Sequence, residues 1–142
     1  MGNLNALFQE WISVFGKNVN QLIMEKCVME EGNMLWHIFT WGCVECIEGA
    51  LATKNYEELS DEEVIFFAEH LDASKGNVEI RKKPSLKELE ETPYRDIYIT
   101  AKDYSWTYVK THEVGIGPFF ATKEAKVNKV LEKRSLKALG IL

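Results

Sequence analysis

The amino-acid sequence predicts a single α+β domain spanning residues 1–142, with a mostly antiparallel sheet of about five strands and with N-terminal and C-terminal helices packed on one face of that sheet. Three observations predict this class. The 142 residues have the length of one domain, and a hydrophobic content of 46% is enough for one core. Short segments with strand-like alternation are joined by turns rather than by long helices, which favours antiparallel pairing. Apolar residues with helical spacing occur at both ends of the chain.

The first third of the chain predicts a helix, a strand and a second helix. Apolar residues three and four positions apart predict an amphipathic helix over residues 3–25, with a bend at Gly16. A turn at residues 32–33 precedes the aromatic residues 35–41, for which we predict a buried strand. A second helix is predicted over residues 43–54. Its predicted inner face consists of Cys43, Ile47, Ala50 and Leu51.

Residues 60–70 are ambiguous between helix and strand. Ser60 and Glu63 match a helix capping box, whereas the Val-Ile-Phe-Phe run that follows is typical of a strand. A turn-like stretch, residues 72–77, and an alternating run, residues 78–81, come next. We therefore favour a hairpin over a helix. A second capping box, Ser85 with Glu88, predicts a short helix.

Residues 96–121 are the stretch around which the chain is organised. Ile97 and Ile99 alternate with Tyr98 and Thr100, and residues 106–111 alternate in the same way after a short polar link, which predicts a hairpin. A Gly-Pro turn follows at residues 117–118. A last helix is predicted to begin at a Thr122 cap. Its predicted inner residues are Val127, Val130 and Leu131.

The charge of the chain is acidic overall and unevenly spread. The net charge is −5, and residues 45–72 contain nine carboxylates against one lysine. From residue 122 to the end, six basic residues stand against two acidic ones. An acidic chain argues against a nucleic-acid partner, because phosphate neutralisation supplies most non-specific affinity. An acidic surface instead suits a protein partner with a basic surface.

The sequence also bounds the location of the protein. No run reaches the roughly 18 consecutive apolar residues of a membrane span, and the N-terminus lacks the pattern of a secretory signal. Three cysteines are an odd number and too few for a disulfide scaffold. We expect a cytoplasmic protein that is not associated with a membrane.

The sharpest chemical motif is the pair Cys43 and Cys46, at Cys-x-x-Cys spacing and at the start of a predicted helix. A helix N-terminus stabilises a thiolate, so the pair indicates thiol-redox chemistry. Together with His37 or His112 it would supply a metal site, although one pair alone is half of a zinc site. The surroundings do not resemble those of thioredoxin, since only a helix precedes the predicted strand. The structural alternative is two small residues in or beside the core.

The second candidate cluster contains His37, His112 and Glu113. His37 lies among aromatic residues of a predicted strand, a position typical of a hydrogen-bonded core histidine. His112 and Glu113 lie at a predicted strand end before the Gly-Pro turn, where they suit general acid–base chemistry or metal binding. The simpler alternative is an ion pair that stabilises the turn. If the two predicted strands are adjacent, His37 and His112 share one site.

The chain resembles an uncharacterised family of small bacterial proteins, mainly from Gram-positive organisms, known only as a domain of unknown function. The resemblance covers nearly the whole chain, implies an α+β fold and supports a strand over residues 64–69. It implies no activity, cofactor or catalytic residue. The matching segments are residues 35–41 (LWHIFTW), 96–99 (DIYI), 106–109 (WTYV), 111–113 (THE) and 117–120 (GPFF).

Together these observations predict a protein that binds another protein without catalysing a reaction, in an immunity-like or regulatory role. We expect no cofactor, and a monomer or a homodimer. The alternative is a thiol-redox or metal-binding protein that uses Cys43 and Cys46 with His37 or His112. The candidate partner surface consists of Glu57, Glu58, Asp61, Glu62 and Tyr104.

Overall fold

The computed structural model describes residues 4–29, 35–70 and 77–142. The helices are α1 (Leu4–Phe15), α2 (Gln21–Ile23), α3 (His37–Thr40), α4 (Ala50–Glu58), α5 (Leu86–Glu91) and α6 (Lys129–Ala138), and a π-helical segment (Met24–Met29) continues α2. The strands are β1 (Ile47–Glu48), β2 (Glu63–His70), β3 (Asn77–Lys82), β4 (Tyr94–Ala101), β5 (Trp106–Lys110) and β6 (Phe119–Thr122). The protein is a single α+β domain, as predicted.

These strands form one antiparallel sheet in the order β1-β6-β5-β4-β2-β3, so the described part of the chain has six strands rather than about five. The predicted central hairpin is β4 and β5, in which Ile99 stands opposite Tyr108. The hairpin interpretation of residues 60–70 is confirmed, because β2 pairs with β3 from Glu63 to Ala68. The turn predicted at residues 32–33 lies outside the described residues. The turn predicted at residues 72–77 also lies outside them, except for its last residue, at which β3 begins.

One side of the sheet, which we call the α1 face, is covered mainly by α1 and α3. The ring of Trp11 lies 5.1 Å from that of Tyr98, measured between centroids, and Phe39 packs on Phe119 at 5.0 Å. Trp11 Nε1 donates a hydrogen bond of 2.9 Å to Thr107 Oγ1 near the start of β5. Aromatic packing and one buried hydrogen bond therefore fix α1 on the sheet.

The opposite side, which we call the α4 face, is covered by α4 and α5. Tyr56 of α4 stacks on Tyr108 of β5 with ring centroids 4.3 Å apart, and Leu89 of α5 is buried in the same cluster. Our prediction that helices cover one face was therefore wrong. Ile97 and Tyr98 are neighbours in β4, so their side chains lie on opposite faces of the sheet, and both are buried. Both faces of β4 are therefore covered.

The strand predicted for residues 35–41 was also wrong, since α3 occupies His37–Thr40. Leu35, Trp36, Ile38 and Phe39 are all buried. A short helix that is buried on several sides shows no amphipathic period, so a seven-residue apolar run does not separate it from a buried strand.

The helix predicted to begin at Cys43 begins only at Ala50. Cys43 has a φ of 55°, which is outside the right-handed helical region. Ile47 and Glu48 form β1 on the edge of β6, and Gly49, with a φ of 75°, turns the chain into α4. Pairing with a distant strand therefore overrides the local helical pattern.

The inner face of α4 differs from the prediction as well. Ala52 and Tyr56 are the buried residues of this helix, whereas Leu51 is 64% exposed. The prediction placed the start of the helix too early, and it therefore assigned the wrong residues to the buried side.

The C-terminal helix begins later than predicted. Thr122 ends β6, and it is Asn128 whose side chain caps α6. The sequence analysis missed β6 because its four residues directly follow the Gly-Pro turn. Of the predicted inner residues, Val127 is buried and Val130 is 71% exposed, and the buried residues within α6 are Ser135 and Leu136.

Other helix predictions are confirmed. The first helix ends at Phe15, beside the bend predicted at Gly16, although the rest of the predicted span is a separate short helix and a π-helical segment. Ser85 and Glu88 form both hydrogen bonds of a capping box at the start of α5. In the described parts of the chain, no helix has the length and apolar character needed to cross a membrane.

Candidate functional site

A buried carboxylate and a histidine meet at the end of the sheet where β4 begins. Asp96 is fully buried in β4, and the pairing of Ile97 with Lys110 brings the residues after β5 next to it. Asp96 Oδ1 accepts two hydrogen bonds of 2.8 Å, one from the backbone N–H of His112 and one from its Nδ1. Because an ionised carboxylate only accepts, Nδ1 carries a proton in this arrangement. Asp96 thus fixes both the orientation and the tautomer of the imidazole.

The second ring nitrogen, His112 Nε2, has one partner suited to each protonation state. An Arg95 guanidinium nitrogen lies 3.2 Å from Nε2, and it donates to the lone pair of the neutral ring. Glu113 Oε1 also lies 3.2 Å from Nε2, and it accepts from the protonated ring. The His112 side chain is 22% exposed. Nε2 therefore has a possible donor and a possible acceptor within hydrogen-bond distance, on a side chain that is partly exposed.

His37 and His112 both contact the buried ring of Trp36. The ring centroids of Trp36 and His37 are 4.1 Å apart, and those of Trp36 and His112 are 6.1 Å apart. The backbone N–H of Trp36 donates to the Tyr98 hydroxyl at 3.3 Å, which fixes the position of Trp36 on the sheet. The structure thus brings together the two histidines, although His37 lies on α3 rather than on the predicted strand.

His37 itself is half-buried and its ring nitrogen Nδ1 lies 3.0 Å from Thr40 Oγ1. Burial lowers the pKa of His37 below its ordinary value, against the raising effect of the Asp96 and Glu113 carboxylates, and the neighbouring His112 lowers it further. His37 is therefore held in its neutral form, and its charge state is linked to the Asp96–His112 pair.

Two buried polar atoms of this cluster have no hydrogen-bond partner among the described residues. They are Asp96 Oδ2, an acceptor, and Trp36 Nε1, a donor. Leaving such a group unpaired costs about 1–3 kcal/mol. Natural proteins retain this cost mostly where the group has a further role, so the two atoms single out the cluster.

The Cys43 and Cys46 pair lacks the surroundings of a reactive dithiol. Cys43 is buried, with its Sγ 3.2 Å from the backbone oxygen of Thr40, and neither cysteine lies in a helix. Burial and the nearby Glu48 carboxylate raise the pKa of Cys46 to about 12, and burial raises that of Cys43. Both residues are therefore thiols at neutral pH, and no thiolate nucleophile is available.

A metal centre lacks its ligands in the part of the chain that the structure describes. No three histidine, cysteine, aspartate or glutamate side chains come together there in a way that would hold a metal ion. The metal alternative predicted for Cys43 and Cys46 thus gains no support.

Four members of the candidate partner surface lie at the C-terminal end of α4 and in the link from α4 to β2. We call Glu57, Glu58, Asp61 and Glu62, all of them exposed, the acidic loop. Among the described residues, Asp61 forms an ion pair with Lys82 at 3.6 Å, and no ion pair involves the other three.

Tyr104, the fifth predicted surface residue, is part of the packing on the α1 face. Its hydroxyl donates to Glu10 Oε2 at 2.5 Å, which ties the β4–β5 turn to α1. Burial and the Glu10 contact raise its pKa. Tyr104 is therefore a structural residue as well as a neighbour of the acidic loop, since the same turn lines a groove with Glu62.

Sequence reasoning found His37, His112 and Glu113 but missed Asp96, Arg95 and Trp36. The signal for Asp96 was present in the alternation of β4, because Asp96 is in phase with Tyr98 and Thr100, whose side chains face the core. A charged residue in phase with an inward face needs a partner. Arg95 and Trp36 gave no comparable signal.

The fold and this cluster define a single-domain antiparallel α+β protein with a buried Asp–His pair at one end of its sheet. A family model described as a domain of unknown function, DUF4275, matches residues 4–120, and the chain belongs to that family. The predicted resemblance to an uncharacterised family is thereby confirmed. The match ends in β6, so α6 lies beyond it. Neither the curated proteins nor the solved structures contain a match to the chain.

Proposed function

We propose that the chain is a protein-binding module of regulatory or immunity type, which binds a basic partner through the acidic loop. The observation that supports this proposal is that the loop is held rigidly although its carboxylates are exposed. Rigid charges lose less conformational entropy on binding than flexible ones, so they suit recognition.

Lys83 is the residue that holds the loop. Its ammonium donates to the backbone oxygens of Tyr56 and Leu59, at 2.8 and 2.9 Å, and lies 4.6 Å from the centroid of the Tyr56 ring. The backbone N–H of Lys83 donates to the oxygen of Glu62 at 2.9 Å. These bonds join both ends of the acidic loop to the segment that follows β3.

Tyr56 completes this anchor from the other side. Its hydroxyl donates a bond of 2.6 Å to the backbone oxygen of Pro84, and its ring is buried. Glu57, Glu58 and Glu62 consequently project from a fixed frame. A groove of about 330 Å³ lies beside them, and its charged lining consists of Glu57, Asp61 and Glu88 together with Arg81, Lys82 and Lys83. The exposed carboxylates of the acidic loop, rather than the groove, therefore supply the negative charge for a basic partner.

The test is a charge reversal of the three unpaired residues, Glu57→Lys, Glu58→Lys and Glu62→Lys together. The probe is a small basic protein such as lysozyme, and the measurement is titration calorimetry at low and at physiological salt. We expect the wild-type protein to bind with an affinity that falls as salt rises, and the variant to lose at least about tenfold.

The matched control reverses three exposed carboxylates elsewhere, Glu90, Glu91 and Glu124. This control changes the net charge by the same amount, and we expect it to lose less than about threefold, since steering by net charge alone is weak at physiological salt. Equal losses in the two variants would show that only net charge matters and would remove the acidic loop as the binding surface.

A further inference from the structure

We propose that Asp96, His112 and Arg95 form an acid–base site that hydrolyses an ester or a similarly activated acyl group, with His112 Nε2 as the base. This site is separate from the acidic loop, and it would give the protein a chemical activity in addition to binding. The proposal rests on the geometry around the imidazole, which provides for each stage of a proton transfer.

The first requirement is a base whose lone pair lies at a defined place. Asp96 Oδ1 holds Nδ1–H at 2.8 Å and also accepts the His112 backbone N–H, so the ring cannot flip without losing a bond to a fully buried carboxylate. The lone pair of the neutral ring is therefore at Nε2, where it accepts from Arg95 in this structure, and water has to displace that contact before the ring acts as a base. Asp96 is a positioning residue in this scheme, as a carboxylate behind a catalytic histidine is in serine hydrolases.

The second requirement is stabilisation of charge as it develops. Arg95 lies 3.2 Å from Nε2 and its guanidinium is exposed, so it is within reach of an oxygen of a substrate bound at Nε2. Glu113 Oε1 lies 3.2 Å from Nε2 and accepts a hydrogen bond from the Nε2–H of the imidazolium. Opposite charges thus flank the nitrogen, one suited to a negative oxygen and one to the protonated ring.

The third requirement is a rigid ring. Trp36 packs against His112 with an interplanar angle of 73°, and Trp36 is itself 1% exposed. Its Nε1–H and Asp96 Oδ2, neither of which has a partner among the described residues, add a buried donor and acceptor to the same cluster. Such groups are few in natural proteins, so their presence here sets the cluster apart.

The proposed step uses water as the only co-reactant. Nε2 takes one proton from a water molecule while the water oxygen bonds to the acyl carbon, and the carbonyl electrons move to the oxygen that Arg95 binds. Collapse of this intermediate breaks the bond to the leaving group, which receives the proton from the imidazolium. The products are a carboxylic acid and an alcohol, and His112 returns to its neutral form.

The test uses p-nitrophenyl acetate as the probe and follows release of p-nitrophenol over several turnovers per protein molecule. General-base catalysis contributes about 10²–10⁴-fold, so we expect His112→Gln to lower the rate at least about tenfold. The variant in which the exposed residues Glu90, Glu91 and Glu124 are changed to lysine is the control, and it should keep the rate. Equal rates for the wild-type protein and a folded His112→Gln variant would overturn the proposal.

A second measurement tests the positioning role of Asp96 without depending on turnover. The ¹⁵N chemical shifts of His112 report which ring nitrogen carries the proton, and we expect Nδ1–H in the wild-type protein. Asp96→Asn should change this signature and reduce the rate about tenfold or more, because its amide also donates. If the wild-type ring carries its proton on Nε2, the assignment of the base is wrong, whatever the esterase assay shows.

Discussion

One end of the sheet has a buried carboxylate, whereas the carboxylates at the other end are exposed. Where β4 begins, one carboxylate, Asp96, is completely buried and receives two hydrogen bonds from His112. Where β4 ends and β2 begins, the four carboxylates of the acidic loop are exposed, and they form one ion pair with the described residues, from Asp61. The second end dominates the charge pattern of the sequence, yet the first carries the larger energetic cost. The number of acidic residues therefore does not identify the site with the strongest constraints; burial and partners do.

The two ends are far enough apart to be altered independently. Ala101, which pairs with the start of β2, lies five positions along β4 from Asp96, so the distance is roughly 17 Å at about 3.3 Å per residue. Substitutions that far apart and without shared partners have additive effects on the free energy of unfolding. The comparison can thus be tested one end at a time.

The largest effect is expected at the buried end, for Asp96→Ala. This change removes the acceptor of both the His112 backbone N–H and its Nδ1–H, and each of these donors left without a partner costs about 1–3 kcal/mol. Urea denaturation followed by circular dichroism measures the free energy of unfolding. Asp96→Asn is the control, and it should cost less because it keeps an acceptor oxygen. A loss under about 1 kcal/mol for Asp96→Ala would remove the contrast between the two ends.

An intermediate effect is expected at the acidic end, for Lys83→Met. The variant keeps the apolar stem but loses the ammonium bonds to the Tyr56 and Leu59 oxygens, and charged hydrogen bonds are worth about 1.5–3 kcal/mol. The matched control is the neighbouring Lys82→Met, whose side chain is 73% exposed, and it should stay within about 0.5 kcal/mol. Equal stability of the two variants would mean that Lys83 does not anchor the loop.

The smallest effect is a dependence of stability on pH at the His37 end. Because folding lowers the pKa of His37, the unfolded chain takes up its proton near the ordinary value of 6.5 and the folded chain only at lower pH. Between these two pH values the unfolded state binds more protons, so the free energy of unfolding falls as pH falls through 6.5. The titratable groups that act on His37 are the Asp96 and Glu113 carboxylates and the His112 imidazole.

His37→Gln isolates this contribution. Melting temperatures from pH 8 to pH 5 should fall less steeply in the variant than in the wild-type protein, while charge reversal at the acidic loop should leave the slope near pH 6.5 unchanged. Parallel curves for wild type and His37→Gln would contradict the assignment.

The sequence was most informative where its pattern is long and regular. Alternation over residues 96–111 predicted β4 and β5 with their correct faces, and the Ser85–Glu88 box predicted α5. The same approach gave wrong predictions for residues 35–41 and 43–48, because their conformations depend on contacts with distant elements. One example is the bridge between Val44 and Val127. Such long-range pairing leaves no local period to detect.

The candidate site was predicted in part for the same reason. His112 and Glu113 stand out as polar residues at a strand end, and their position beside a turn is visible in the sequence. Their association with Asp96 depends on the register of β4 against β5, and that with Trp36 on the position of the segment before α3. Single-sequence periodicity fixes the faces of a strand but not which strand ends meet.

The two-residue strand β1 has a consequence for the order in which the protein folds. Ile47 pairs with Phe120, more than seventy positions later in the chain, through a ladder of two residue pairs. Closing a loop of that length costs entropy that so short a ladder barely offsets, whereas β4 and β5 form from neighbouring residues. We therefore expect β1 to dock last during folding and to detach first under native conditions, with the fastest amide exchange in the sheet. Each detachment exposes the backbone donors and acceptors along the outer edge of β6, so that this edge then resembles the outer edge of β3, which has no partner strand among the described residues.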